Sequence, residues 1–557
     1  MQPLAKAMGR RITQTLRPRA EGPAAVWGAV IAKDPESWQR ALKAADGQRV
    51  LMATSMGGYD HGTGLESVLT AALTLRGAQV DVLLCDEFLP ACQLTKFSKI
   101  SPERLVARGQ RTLCRPCFAS GQKAYDALGR PVLTYSANVS DSERDMASRL
   151  SQQVPLAHVP NWRFEGLAVG EHAMAGALRY YGRGDLHGED HSEQVVRRFL
   201  EAGLLTVFAS RRILDLGHYG VAVFHHGIYI PQGIIGEVCR QRGVRVVNSN
   251  PAYRDKCFIF SHETTYHHTM ISEDVKVWRD DMDWHASTRT VALDYLMGRR
   301  QGRDDWIHFN QDPLENASSI SAETGLNFSR PTVALLTNVL WDAQLHYPSN
   351  AFPDMLAWLF HTVEKFRDLP DYDLAIRIHP AEVTGAVPSR QPLLSELNKR
   401  FPALPDNVYV IKPESKVSTY ELIDHSIAAL IYNTKTGIEI AAQGKPVVVA
   451  GEAWIRGKGF AFDVNRLEEY DALLERIQEL HMTDNQVELA RRYAYHFFFR
   501  RMIPLSFMES PERFHLKVAL DSLDQLAEGR ESGLDIICRG ILKGSAFVYP
   551  AELSMDK

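Results

Sequence analysis

From about Pro331 to Gly451 the sequence alternates short apolar runs with stretches of helical period. TVALLTNVL (332–340) reads as a buried strand and MLAWLFHTVEKF (355–366) as a helix. LAIRIHP (374–380) is a strand with a polar end, LLSELNKRF (393–401) a helix and VYVI (408–411) a strand. Ser418, with Glu421 three residues on, predicts a capping box at a helix start. AALIYN (428–433), GIEIAAQG (437–444) and PVVVAG (446–451) then read as strand, helix and strand. Strands alternating with helices of this length imply βαβ units and a parallel sheet. Continuous apolar runs such as VVVA fit strands covered on both faces.

The N-terminal half repeats the theme. RVLMATS (49–55) reads as a strand, GLESVLTAALTLRG (64–77) as a helix and VDVLLCD (80–86) as a strand. An irregular, cysteine-bearing region follows. EQVVRRFLEAGL (193–204), YGVAVFHHG (219–227), IIGEVCRQRG (234–243) and VRVVNS (244–249) then read as helix, strand, helix and strand. The expected fold class is α/β, with two Rossmann-like domains facing a cleft and helices at the C-terminus. The expected division is a basic extension over 1–45, a first domain over 46–300, a polar linker over 301–330, a second domain over 331–465 and a helical tail over 466–557. Ligands of open α/β sheets bind beyond the carboxyl ends of the strands, so the site is expected in the loops that follow them.

Composition narrows the class. The 557 residues allow two or three domains. A hydrophobic share of 45% and a charged share of 23% are ordinary for a soluble globular chain. The net charge of -4 argues against a nucleic-acid binder. No apolar run approaches the ~18 residues of a membrane span. The first twenty residues are basic but lack the apolar stretch of a secretory signal. Lys6, Arg10, Arg11, Arg17 and Arg19 suit an anionic membrane surface, a frayed basic tail being the plainer reading. The expected location is the cytoplasm, with peripheral contact at the inner face of the cytoplasmic membrane as the alternative.

Seven cysteines are too few for a disulfide scaffold and point to a reducing compartment. Cys85, Cys92, Cys114 and Cys117 share one region. Only the last two form a tight pair, where a strong zinc motif has two. Independent reduced thiols are the default, and a structural zinc the alternative.

Chemistry gathers at the strand ends. Arg377 and His379 lie on one face of LAIRIHP, with the rigid Pro380 after them. Such a histidine can donate to a phosphate oxygen, or be satisfied by backbone in a turn. Asn433-Thr434-Lys435-Thr436-Gly437 leads from a strand into a helix, where hydroxyls and free N–H groups make a phosphate cradle or an ordinary cap. Glu439 follows in the first turn and is a candidate acceptor from ribose hydroxyls. Gly451-Glu452, Arg456, Gly457, Lys458 and Gly459 form a glycine-rich basic loop after the next strand. In the first half, SMGGYDHGTG (55–64) lacks the dinucleotide fingerprint but offers Asp60 and His61 as candidate bases. His225 and His226 follow another strand, and His262, His267 and His268 lie nearby in sequence. With no H-E-x-x-H or D-x-D pair, these histidines read first as polar groups lining the cleft.

R-I-H-P-A-E (377–382), S-T-Y-E-L (418–422), Y-N-T-K-T-G-I-E-I-A-A-Q-G-K-P-V (432–447) and G-E-A-W-I-R-G-K-G-F (451–460) together resemble the capsule polysaccharide biosynthesis family, which includes the bacterial Kdo transferases of capsule assembly. The resemblance is strongest over 330–465 and weaker at H-H-G-I-Y-I-P-Q-G and N-P-A-Y-R-D-K-C-F-I-F-S-H. It implies a GT-B fold with a nucleotide-sugar donor on the second domain and the acceptor on the first. It also implies donor contacts from His379, Pro380, Thr434, Thr436, Gly437 and Glu439. The family's turn often carries Ser where this chain has Asn433-Thr434, and the cysteine region has no counterpart. The expected function is transfer of a sugar from a CMP- or UDP-sugar to a surface or capsular polysaccharide or lipid-linked acceptor, with other capsule-assembly proteins as partners. The expected catalytic residues are Asp60, His61 and His379, with no certain cofactor. The alternatives are a sugar-nucleotide 2-epimerase and a catalytically inert partner in capsule assembly or export.

Overall fold

The computed structural model describes residues 22–303, 305, 314, 316–342, 347, 348, 350–512 and 515–554. Five parallel strands build the first sheet: β1 (Arg49–Ser55), β2 (Gln79–Leu84), β3 (Val132–Thr134), β4 (Val221–His225) and β5 (Arg245–Pro251). β6 (Cys257–His262) extends it antiparallel to β5. The second sheet holds β7 (Thr332–Leu336), β8 (Asp373–Arg377), β9 (Val408–Ile411), β10 (Ser426–Ile431), β11 (Val447–Val449) and β12 (Phe462–Asp463), all parallel. β13 (Ile503–Pro504) returns from the tail to pair antiparallel with β6.

The order β3-β2-β1-β4-β5-β6-β13 in one sheet is matched by β9-β8-β7-β10-β11-β12 in the other. Each sheet is therefore doubly wound outward from a central strand, β1 or β7. The strand order reverses between β1 and β4, and again between β7 and β10. Such reversals open crevices at the carboxyl ends of the strands. The burial follows the sequence logic: β4, β7 and β8 are buried at every position, as strands covered on both faces must be.

Several boundaries differ from the expected ones. Residues 23–44 are two helices, Pro23–Lys33 and Pro35–Ala44, whose Trp27, Val30 and Trp38 pack into the first domain's core. The basic residues of 1–21 lie outside the described residues. Within 301–330, the helix Ala317–Thr324 places Ile320 in the second domain's core, so this part is no free linker. The helix Ala286–Arg300 sends Tyr295 and Leu296 into that same core, which makes it a bridge between domains. The tail is not purely helical. It carries β13, a hairpin of β14 (Met508–Glu512) and β15 (His515–Val518), and the helix Ser532–Lys543, whose Ile537 and Ile541 seal the first domain. No helix among the described residues is long and apolar enough to cross a membrane.

Candidate active site

A cleft of about 810 Å³ lies where the two sheets' carboxyl ends face one another. It collects Asp60 and His61 beyond β1, His225 and His226 at β4, Asn338 beyond β7, His379 beyond β8, and Thr434 and Thr436 beyond β10. Both reversals of strand order thus open onto one space. Asn338 Nδ2 donates to Asn433 Oδ1 and ties the two walls of the β7–β10 crevice together.

On the first domain the helix starts at Asp60, four residues earlier than expected, and runs to Leu75. His61 therefore sits in its first turn. The rings of Tyr59 and His61 lie 5.6 Å apart, and Tyr59 and His225 4.7 Å apart. Ser55 ends β1 with φ 56°, and His226 follows β4 with φ 70°. Left-handed backbone at non-glycine residues costs of order 1–3 kcal/mol and persists where surrounding structure enforces it, often at functional sites. The two strained residues flank the same reversal. His225 is 3% exposed. Burial pushes its pKa down to about 3, helped by the neighbouring His61 and Arg179 charges. It is neutral at ordinary pH.

On the second domain, His379 lies two residues beyond β8. Its backbone N–H donates to the Thr337 hydroxyl, and its Nδ1 accepts from the Ala381 N–H at 3.0 Å. Burial, with Arg377 and Lys435 nearby, pushes it down to about 4, so the ring is neutral and its proton resides on Nε2. The residue thus binds backbone through Nδ1 and carries its N–H on Nε2. Thr434 and Thr436 hydroxyls lie 3.3 Å apart at the start of the short helix Thr436–Ala442.

Other expected donor-site residues are committed elsewhere. Arg377 is buried, and its guanidinium donates to the carbonyls of Ile378, Lys412 and Ser415, which clamps the turn after β9. Gly437 is closely packed: a Cβ there would stand 2.6 Å from Ile431 Cδ1 and 2.8 Å from Ile455 Cδ1. Glu439 is 1% exposed and is ion-paired with Lys435 at 2.8 Å and Arg299 at 3.2 Å, and it accepts from the Tyr420 hydroxyl. A carboxylate so engaged is a structural counter-ion, not a ribose acceptor. Arg456 donates to the carbonyls of Val449, Gly451 and Val464. Lys458 donates to the carbonyls of Ile271 and Glu273 beside the helix Tyr266–Ser272. Ser418 caps its helix by accepting from the Tyr420 N–H, while Glu421 turns to His425 and Arg300 instead of closing a capping box.

Of the other histidines, His267 lines the cleft beside Trp454. His268 meets the Thr265 hydroxyl, and His262 the Ser545 carbonyl. Cys85, Cys92, Cys114 and Cys117 are free thiols outside the cleft lining. Among the described residues no group of three or more His, Cys, Asp or Glu is placed to hold a metal ion.

The structure adds cations that sequence reasoning did not select. Eight Lys and Arg line the cleft against four Asp and Glu, in a chain of net charge -4. Arg377 and Arg299 are consumed internally, but Lys96, Lys99 and Arg179 come from the first domain. Burial lowers Lys96 to about 8. Arg179 donates to the Gln93 carbonyl and lies 5.0 Å over the Tyr229 ring. Arg179 comes from a helix and the two lysines from an irregular segment, and no motif marked either.

The capsule polysaccharide biosynthesis protein profile matches residues 315–490. No curated protein matches the chain. Among solved structures, it is similar to the β Kdo 2,4 transferase KpsC of Thermosulfurimonas dismutans, at 12% identity and TM-score 0.35 over 56% of this chain and 88% of that one. The β Kdo 2,7 transferase of the same KpsC gives 12% and 0.32, over 57% and 88%. A UDP-N-acetylglucosamine 2-epimerase gives 10% and 0.24, over 80% and 90%. Likeness this weak is no basis for carrying an activity across. Over 315–490, the stretch that supplies His379, Thr434 and Thr436 to the cleft, the chain is similar to the capsule polysaccharide biosynthesis protein family.

Proposed function

We propose that the chain is a GT-B glycosyltransferase that moves a sugar from a nucleotide-sugar, of the CMP or UDP class, to a glycan or lipid-linked acceptor. The observation that carries this reading is the convergence of two strand-order reversals on one cleft whose lining is rich in cations. A nucleotide phosphate on the second domain would meet the Nε2–H of His379 and the hydroxyls of Thr434 and Thr436. As the bond from the anomeric carbon to the phosphate breaks, these donors stabilise the charge left on the leaving oxygen. The acceptor hydroxyl attacks that carbon from the first-domain side. Its proton passes to Asp60 or His61, the two candidate bases at the facing wall.

The test is a screen of CMP-, UDP- and GDP-sugars for binding and for acceptor-dependent loss of donor. Binding of one nucleotide class with sugar transfer is the expected result. Release of an epimer with no acceptor requirement would replace the reading with an epimerase. Absence of both binding and turnover across the set would replace it with an inert assembly partner.

A further inference from the structure

We propose that Cys85, Cys92, Cys114 and Cys117 ligate a four-iron, four-sulfide cluster behind the cleft wall formed by Gly58 to His61. Cys85 directly follows β2, and Cys92 lies seven residues on in the irregular segment. Cys114 and Cys117 project from one face of the helix Arg111–Ala127, one turn apart. All four are free and partly shielded from solvent. They also lie close together: Cys85, Cys92 and Cys117 each act electrostatically on Cys114, and Cys92 acts on both Cys85 and Cys117.

The groups around the sulfurs are those that ligated thiolates need. The Gly58 N–H donates to Cys117 Sγ at 3.2 Å. The N–H groups of Leu89 and Phe88 face Cys85, and those of Leu94 and Thr95 face Cys92. Gln110 Nε2 approaches Cys92 Sγ at 3.9 Å. A neutral thiol is a weak acceptor and gives little return for so many donors. A metal-bound thiolate carries charge that such donors stabilise, and hydrogen bonds to sulfur are a standard means of tuning iron–sulfur clusters.

A cluster and a single ion make different demands on the four thiols. No three of these side chains are placed to hold one metal ion among the described residues. A cluster interposes irons and sulfides between its four thiolates and takes them further apart. Its place in the fold gives it a task. Gly57 packs so tightly on the cysteine-bearing helix that a Cβ would stand 2.5 Å from Gly121 Cα. Pinning Cys117 and its Gly58 contact therefore fixes the loop that delivers Tyr59, Asp60 and His61 to the cleft.

The experiment is iron, acid-labile sulfide and zinc analysis of the full chain, purified without oxygen and then reconstituted with ferrous iron and sulfide. About four irons and four sulfides per chain are expected, with the broad visible absorbance of such clusters. Cys92→Ser and Cys114→Ser should each lose most of the iron and the absorbance, with far-ultraviolet circular dichroism reporting whether the fold survives. A parent chain that stays free of iron and sulfide after reconstitution would overturn the proposal, whatever the variants do. So would one zinc per chain in place of iron, or a Cys92→Ser/Cys114→Ser double variant that keeps the parent's iron.

Discussion

Replacing Glu439 by glutamine should damage the second domain's stability and not the donor contact. Burial by itself would raise this carboxyl's pKa, but Arg299 and Lys435, with the Tyr420 hydrogen bond, hold it down to about 2. Set against the ordinary value of 4.5, that depression corresponds to about 3 kcal/mol of stability at neutral pH. Because the folded pKa lies below the unfolded one, this contribution is full above pH 4.5 and is lost as pH falls toward 2. Glutamine keeps the shape and leaves two buried cations facing a neutral amide. Removing one partner of a buried pair costs about 3–5 kcal/mol. In a cooperative unit of about 150–250 residues each kcal/mol moves Tm by about 2–4 °C, so the Glu439→Gln transition should fall by about 6–20 °C. Thermal melts by near-ultraviolet circular dichroism, beside nucleotide-binding titrations at a temperature where both proteins are folded, read the two effects separately. A melt within about 2 °C of the parent, combined with lost nucleotide binding, would refute the reasoning and return Glu439 to the ribose.

His379→Ala and Thr436→Val should each lower turnover about 10²–10³-fold with little change in melting, since each removes a donor to the leaving phosphate; unchanged turnover in both would reject the donor site. The pH profile of turnover should show no inflection at 6.5 from His379 or His225, because burial holds both rings neutral, at about 4 and about 3; a rate that tracks an imidazole titration and vanishes with His379 would contradict this. Glu66 is 1% exposed, and burial raises its carboxyl to about 7, which the facing Thr54 hydroxyl and His225 amide offset only in part. The stability its protonated form provides is present below 4.5 and lost as pH rises through about 7, a change of roughly 3 kcal/mol. Glu66→Gln should flatten that loss between pH 4.5 and about 7 in denaturant melts, and an unchanged pH slope would sink the assignment.

What could be read from sequence follows from what is local. The second sheet was legible because strands buried on both faces appear as unbroken apolar runs, as in VVV of β11 and TVALL of β7. β6 and β13 were not, because antiparallel edge pairing between residues 257–258 and 503–504 leaves no mark on either segment's own period. The helix start at Asp60 was hidden by the glycines in DHGTG. Gly62 and Gly64 read as turn residues, yet both are buried inside the helix, where Gly62 lies against Tyr59 and His225.

The same distinction sorts the charged residues. His379, Asp60 and His61 reach the cleft because strand direction alone carries the following loop there. Arg377 also reaches the cleft wall, but with its guanidinium engaged, and for Glu439, Arg456 and Lys458 strand direction was not enough. Their partners are carbonyls or ions brought up from elsewhere, Arg299 from 140 residues away in the case of Glu439. A buried charge must be paired, so a charged side chain at a strand end is drawn to the first partner the fold offers. Arg299 occupies the carboxylate that the sequence suggested for ribose, and the backbone occupies Arg377, Arg456 and Lys458. The cations left to line the cleft from the first domain come from an irregular segment, for Lys96 and Lys99, and from a helix that no motif marks, for Arg179. Residue type at a strand end therefore marks where chemistry can occur, while the pairing that decides which residue performs it is settled by tertiary contacts.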